Sequence, residues 1–333
     1  MRMKTTIYSN IILLCAVACV FLSATAAFAV PVDSACLASN KSGIGNAIEP
    51  ATSIRCPNTL RGGYQIEDYL STVAGSLDDN ASIIIKVEQI GFSLRKWPIS
   101  LVTISSRELP GNTKGGVLAI AAQHGDEPAG TVAAMRLIHQ IAVEGNQNLH
   151  QLLRDVPFYI IPVANPDAAQ AFKRRAANGK NMNRDWVSYS LPETQAIEKT
   201  IKRLQPDVLL DLHELTAGEP NRPYVEGVSL LGKSSVTQSV KTAFHRQGIR
   251  VPVRSSRPTS RGGRLLHRHF ALKYGRPAFL VESKCPGDPR ANLDNRTNLH
   301  RATVVAVLNA LAAKKSAGAD KSNASKAAST NLP

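Results

Sequence analysis

Six short apolar runs, separated by stretches of a different periodicity, restrict the folding of this chain more than any other feature. They are IIIKV (83–87), ISLVTI (99–104), VLAIAA (117–122), FYIIPV (158–163), VLLDL (208–212) and AFLVE (278–282). Runs of this length, rich in β-branched residues, read as buried strands. Helical patterns lie between several of them. From Glu127 to Val143, residues Val132, Met135, Leu137, Ile138 and Ile141 recur at near-helical spacing. From Pro192 to Leu204 the stretch opens on Pro192-Glu193, a favourable first turn, and sets Ala196, Ile197, Ile201 and Leu204 on one side. A last helix is expected over Leu299–Ala313 with Asn298 as its N-cap. Strands alternating with helices predict one α/β domain over residues 63–313, with a mixed, mostly parallel sheet and helices on both faces.

The two ends read differently. Arg2 and Lys4, the apolar run Ile11–Leu22 and the small residues of Ala27-Phe28-Ala29 have the order of a cleaved export signal over residues 1–29. That apolar run is shorter than the about 20 residues needed to span a bilayer, so no stable membrane anchor is expected and the mature chain is expected outside the inner membrane, periplasmic or extracellular. Residues 30–62, rich in Pro, Gly, Ser and Asn, read as a loop segment. Cys36 and Cys56 either close a short loop there or stay, with Cys285, as three thiols. Residues 314–333 lack an apolar face and are expected to be a disordered basic tail.

The formal net charge is +15. Such an excess is either a solvated basic surface or the counterpart of an anionic partner. With 5% aromatic residues there is little to stack bases on, and an export signal leads away from the cytoplasm, so nucleic acid is not expected as a partner.

The chemistry collects at strand ends. In open α/β sheets, ligands bind beyond the carboxyl ends of the strands. VLAIAA runs into His124 and Glu127, VLLDL into His213 and Glu214, AFLV into Glu282, and FYIIPV into Asn165-Pro166-Asp167. Two imidazoles and a carboxylate suit a single Zn2+ and leave a position open for water. His124, Glu127 and His213 form that set. Glu282 is then the available base, and Glu214 the competitor, although a residue adjacent to His213 on a strand should point the other way. The stretch 165–186 supplies Arg174, Arg175, Asn183 and Arg184 as donors to developing negative charge.

The ordered set His124-Gly-Asp-Glu127, Asn165-Pro-Asp, Arg174-Arg175 followed by AANG, Asn183-Arg184, His213 and Glu282 resembles the zinc metallocarboxypeptidase family of pancreatic carboxypeptidase A, and within it the bacterial enzymes acting on murein peptides. The resemblance spans about residues 63–313 and includes the opening stretch YQIEDYLSTVAGSLDD and the strand pair after it. It implies the family's α/β/α fold, with His124, Glu127 and His213 as zinc ligands and Glu282 as general base. Arg174 would polarise the carbonyl, and Asn183 and Arg184 would clamp the free carboxylate of the released residue. Asn181-Met182 stands where the family has Asp-Leu, and the interval Val251–Phe270 contains no tyrosine where digestive members have one near the substrate.

The overlapping stretch 250–269 instead carries Arg250, Arg254, Arg257, Arg261, Arg264 and Arg268. The resemblance places it beside the pocket for the released side chain. Arg264 and Arg268 are therefore expected either to bind a carboxylate-bearing residue, as in the γ-D-glutamyl-diaminopimelate link of peptidoglycan stem peptides, or to lie on a solvated basic loop. The expected activity is zinc-dependent hydrolysis of an amide bond in a peptide or muropeptide with a free carboxylate. Two alternatives stand beside it: a deacylase of N-acyl amino acids of the succinylglutamate desuccinylase and aspartoacylase kind, and a non-catalytic wall-binding module on a peptidase fold.

Overall fold

The computed structural model describes residues 30–31, 59–60, 62–75, 81–111, 113–216, 222–285 and 292–330. Eight strands form one sheet: β1 (Ile83–Phe92), β2 (Pro98–Ser106), β3 (Val117–Ala121), β4 (Phe158–Ile161), β5 (Val208–Glu214), β6 (Tyr224–Val228), β7 (Val253–Ser256) and β8 (Ala278–Ser283). Their order across the sheet is β1-β2-β4-β3-β5-β8-β6-β7. The centre, β4-β3-β5-β8, is parallel, and β6 runs antiparallel to β8 but parallel to β7. On the other side β1 and β2 join as antiparallel strands.

The helices are α1 (Gly62–Gly75), α2 (Ala129–Ala142), α3 (Gln147–Leu153), α4 (Pro166–Ala171), α5 (Pro192–Leu204), α6 (Ser235–Arg246), α7 (Leu266–Tyr274) and α8 (Leu293–Thr330). Every residue of β3, β4 and β5 is buried, the pattern of strands covered on both faces. One core joins α1, α2, α6 and α8 to Ala119, Ala121, Leu210, Leu212, Phe279 and Val281. The other joins α5 and α7 to Leu118, Ile120 and Leu209. Because side chains alternate along a strand, Asp211 and His213 of β5 and Leu280 and Glu282 of β8 project on the α5/α7 face.

All six expected strands form. The expected helix over Glu127–Val143 begins at Ala129, with Pro128 as its N-cap residue, so Glu127 stays in the turn before it. The last helix begins at Leu293, not Leu299, and Asn298 lies inside it; the capping acceptor is Asn292, whose Oδ1 takes the Asn295 N–H at 2.9 Å. Residues 314–330, expected to be disordered, continue this helix. Lys and Ala are strong helix formers without any apolar face, and Lys315 Nζ donates to the Asp155 carbonyl at 2.9 Å. Strands β6 and β7 were not expected: Tyr-Val-Glu-Gly-Val is short and interrupted by Glu and Gly, and Val-Arg-Ser-Ser, the edge strand, is short and mostly polar.

Cys285 is a free thiol, while the export signal and the Cys36–Cys56 pairing lie outside the described residues. Among the described residues no helix is long and apolar enough to cross a membrane.

Candidate metal centre

The backbone leaves β3 through Ala122, whose φ of +53° turns the chain sharply. The loop that follows is tied to its neighbours: Ala164 N and Asn165 N donate to the carbonyls of Ala121 and Ala122. Asn165 caps α4 with its side-chain oxygen and donates to the Gln123 carbonyl from Nδ2. Gly125 then passes against α4 so closely that a Cβ there would stand 1.9 Å from the Ala168 carbonyl carbon. This packing presents His124 and Glu127 to the end of β5.

There the three expected ligands meet. His124 Nδ1 lies 2.8 Å from Glu127 Oε1, and His213 Nδ1 lies 2.7 Å from Glu127 Oε2. All three side chains are buried, and one ligand atom from each falls within 4.8 Å of the others. The donor set fits a zinc ion: two imidazoles offer the same ring nitrogen toward one carboxylate, and each ring is held from behind at Nε2. Behind His213 stands Asp211 Oδ1 at 2.9 Å, and behind His124 stands Asn181 Oδ1 at 3.0 Å.

The electrostatics agree. Burial alone would push Glu127 up, but His213 and His124 hold its carboxyl well below the usual range. Burial likewise opposes ionisation of Asp211, and His213 and His267 reverse it. His213 goes the other way: desolvation would lower it, and Asp211 and Glu127 raise it well above the ordinary imidazole value.

Glu282 enters from β8, where it is the register partner of His213. Its Oε2 has no hydrogen-bond partner. Burial pushes its carboxyl up to about 8, against the opposing pull of His213 and Arg174. It lines a cavity of about 220 Å³ together with His124, Arg174, Arg184, His213 and Tyr224. Glu214, as strand alternation requires, turns to the opposite face, where Ala129 N and Arg296 hold it. Its carboxylate belongs to that buried network, while its backbone N–H donates to Glu127 Oε2 at 3.1 Å at the border of the cavity.

The guanidinium of Arg174 is anchored on Glu127 Oε1 at 2.6 Å, and Arg184 is exposed at the cleft. Asn183 also lines the cleft, but its amide is turned inward: Oδ1 accepts the Leu266 N–H at 3.0 Å, and Nδ2 lies 3.0 Å from His213 Nε2. Arg264 and Arg268 do not line this cavity. Arg268 pairs with Glu226 of β6 at 2.8 Å, and Arg264 is exposed. The unexpected strand β6 therefore pairs with one of the two arginines that the sequence offered either to a carboxylate-bearing substrate or to a basic loop.

Several groups escaped the sequence reading. Gln123 donates to Asp211 Oδ1 at 2.6 Å and accepts from the indole of the fully buried Trp186 at 2.8 Å. His267 Nδ1 lies 3.0 Å from Asp211 Oδ2. The i, i+2 spacing of Asp211 and His213 on a strand is the one signal that could have marked Asp211. Tyr224 stands opposite Glu282 in the β6–β8 pairing, with the Arg254 guanidinium 4.7 Å from its ring centre. It brings a tyrosine to the cleft from a part of the chain well before Val251–Phe270.

Residues 70–203 match the family model described as zinc carboxypeptidase. That span contains His124, Glu127, Arg174, Asn183 and Arg184, and ends before His213 and Glu282. Carboxypeptidase 2 of Trichophyton tonsurans is 32% identical over 159 residues, covering 47% of this chain and 29% of that protein. Carboxypeptidase SOL1 of Arabidopsis thaliana is 27% identical over 177 residues, covering 50% of this chain and 35% of that protein. This chain thus spans about a third of the length of these relatives. Among solved structures, a metallo-carboxypeptidase from Burkholderia cenocepacia shares the fold, with a TM-score of 0.59 and 20% identity over 74% of this chain and 69% of the other.

Proposed function

We infer that this chain, a member of the zinc carboxypeptidase family, hydrolyses an amide bond beside a free carboxylate in a peptide, and that its substrates are peptidoglycan stem peptides met after export. The observation that carries the catalytic reading is the meeting, in one cleft, of the His124–Glu127–His213 group and a Glu282 carboxylate with an unpartnered oxygen.

A zinc ion held by His124, Glu127 and His213 would supply Lewis acidity, polarising the scissile carbonyl and making water easier to deprotonate. The remaining work falls to side chains of the cleft. Glu282 takes a proton from the attacking water and delivers it to the departing amine. Arg174, reaching the cleft beside Glu127, donates to the oxygen that gains negative charge. Arg184 pairs with the substrate's free carboxylate. The stem-peptide reading rests on these two guanidinium groups at the cleft, on the carboxylate-rich chemistry of γ-D-glutamyl-diaminopimelate, and on the signal-like order of residues 1–29.

The test is mass spectrometry of digests of L-alanyl-γ-D-glutamyl-diaminopimelate, with and without a zinc chelator. Chelator-sensitive release of diaminopimelate is the expected result. Cleavage of ordinary peptide C-termini alone would overturn the stem-peptide reading and keep the carboxypeptidase. Cleavage of N-acyl amino acids alone would replace both with a deacylase.

A further inference from the structure

The two imidazoles of the centre are backed by unequal groups. Asp211, fully buried, gathers Gln123 Nε2 at 2.6 Å, His213 Nε2 at 2.9 Å and His267 Nδ1 at 3.0 Å. Gln123 Nε2 and Asn183 Nδ2 also lie near His213 Nε2, but both are amide donors. Asp211 Oδ1 is therefore the group that accepts the His213 Nε2 proton, and it carries a full negative charge. His124 Nε2 meets the side-chain amide oxygen of Asn181, which carries none.

Resting on the metal-centre reading above, we propose that Asn181 is a positioning residue of that centre. Its amide oxygen fixes the His124 ring with Nδ1 toward Glu127, and its neutrality leaves His124 the weaker of the two imidazole ligands. An ionised acceptor behind a ligating imidazole makes the ring a stronger base and a better donor to the metal; a neutral carbonyl fixes the ring but does less for its basicity. The same Asn181 oxygen accepts the Asn183 N–H at 3.0 Å and so caps the short turn Met182–Arg184. One atom thereby ties the His124 ring to the segment that carries Arg184. A carboxylate of the same shape at position 181 would keep both hydrogen bonds and add the charge.

The experiment is a zinc competition titration of the full chain against a chelating dye, for the wild type, Asn181→Asp and Asn181→Ala. The visible spectrum of each Co2+-loaded form is recorded alongside. Asn181→Ala is expected to weaken zinc by roughly 10- to 100-fold, the usual cost of losing a partner behind a ligand. Asn181→Asp is expected to tighten zinc by roughly tenfold and to shift the Co2+ absorption. A residue with only a structural role would not give changes of opposite sign, because Asn181→Asp keeps both hydrogen bonds and would leave zinc affinity unchanged while Asn181→Ala loosened the turn. Equal affinity in all three proteins, or weaker zinc in Asn181→Asp, overturns the proposal. If the wild type itself binds no zinc, the metal-centre reading fails and the proposal fails with it. If the wild type binds one zinc and the variants match it, the Asn181 proposal alone is lost.

Discussion

Glu282 and His213 occupy the same register position on adjacent parallel strands, so a carboxylate and a buried imidazole leave the sheet side by side on one face. Strand pairing rather than a flexible loop sets their separation, and a site held on strands keeps its geometry better than one held on loops. Because Glu282 Oε2 has no partner, replacing the carboxyl with an amide disturbs little else. Glu282→Gln is expected to retain one zinc per chain and to lose turnover by roughly 10²- to 10⁴-fold, the usual share of a general base. Metal content and kcat measured on the same preparation check it. Loss of zinc would make Glu282 a ligand, and unchanged turnover would remove it from the reaction.

The two arginines at positions 184 and 268 should behave differently. Arg184 is exposed at the cleft, whereas Arg268 is held by Glu226. Arg184→Ala is expected to raise KM for substrates with a free carboxylate by roughly 10- to 100-fold, the worth of a hydrogen bond to a charged group. Discrimination against amide-capped peptides should fall with it. Arg268→Ala is expected to leave KM unchanged and to lower thermal stability slightly. Steady-state kinetics with free and capped versions of one peptide read both. A KM effect confined to Arg268→Ala would reverse the assignment.

The strand ends were legible because apolar runs and their flanking residues are a local pattern. His124, Glu127, His213 and Glu282 could be placed on one rim without knowledge of the strand order. What was not legible depends on pairing across the sheet. Tyr224 reaches the cleft only because β6 pairs with β8, and nothing local announces that strand. Arg268 is held by Glu226, on that same strand, and does not line the cavity. Asn183 reads as a donor in the sequence, but the start of α7 takes its side-chain oxygen through Leu266 N. The tail was misread because the absence of an apolar face removes packing, not helix propensity.

Gly125 sits between His124 and Glu127, and any side chain there meets backbone: a Cβ would lie 1.9 Å from the Ala168 carbonyl carbon and 2.2 Å from the Ala169 nitrogen. A flexible side chain could move aside, but the main chain of α4 cannot without breaking the Asn165 cap. Gly125→Ala is expected to cost about 2 kcal/mol or more of stability and to weaken zinc binding, because the turn carrying two ligands must shift. Urea unfolding of the metal-free chain, together with zinc titration, checks both. A variant as stable as the wild type with full zinc affinity would show that the turn is not seated on α4 as described.

Asp185 gives a prediction that depends on pH and not on the metal. It is 4% exposed and accepts from the Ser188, Ser190 and Thr194 hydroxyls and from Leu191 N, fastening the chain just before α5. Burial would raise its pKa, but these donors outweigh burial and hold it down to about 2, against an ordinary 3.8. A carboxyl depressed in the folded state contributes stability above its unfolded pKa and loses that contribution as the pH falls through its folded value. The ionised carboxylate should therefore contribute roughly 2 kcal/mol above about pH 4. Asp185→Asn is expected to be less stable than the wild type by about that amount at pH 6, and the gap should close as the pH falls toward 2. Denaturant unfolding of both proteins at several pH values reads the difference directly. A gap that stays constant between pH 6 and pH 2.5 would mean that the hydrogen-bonding shape of residue 185, rather than its charge, holds this segment in place.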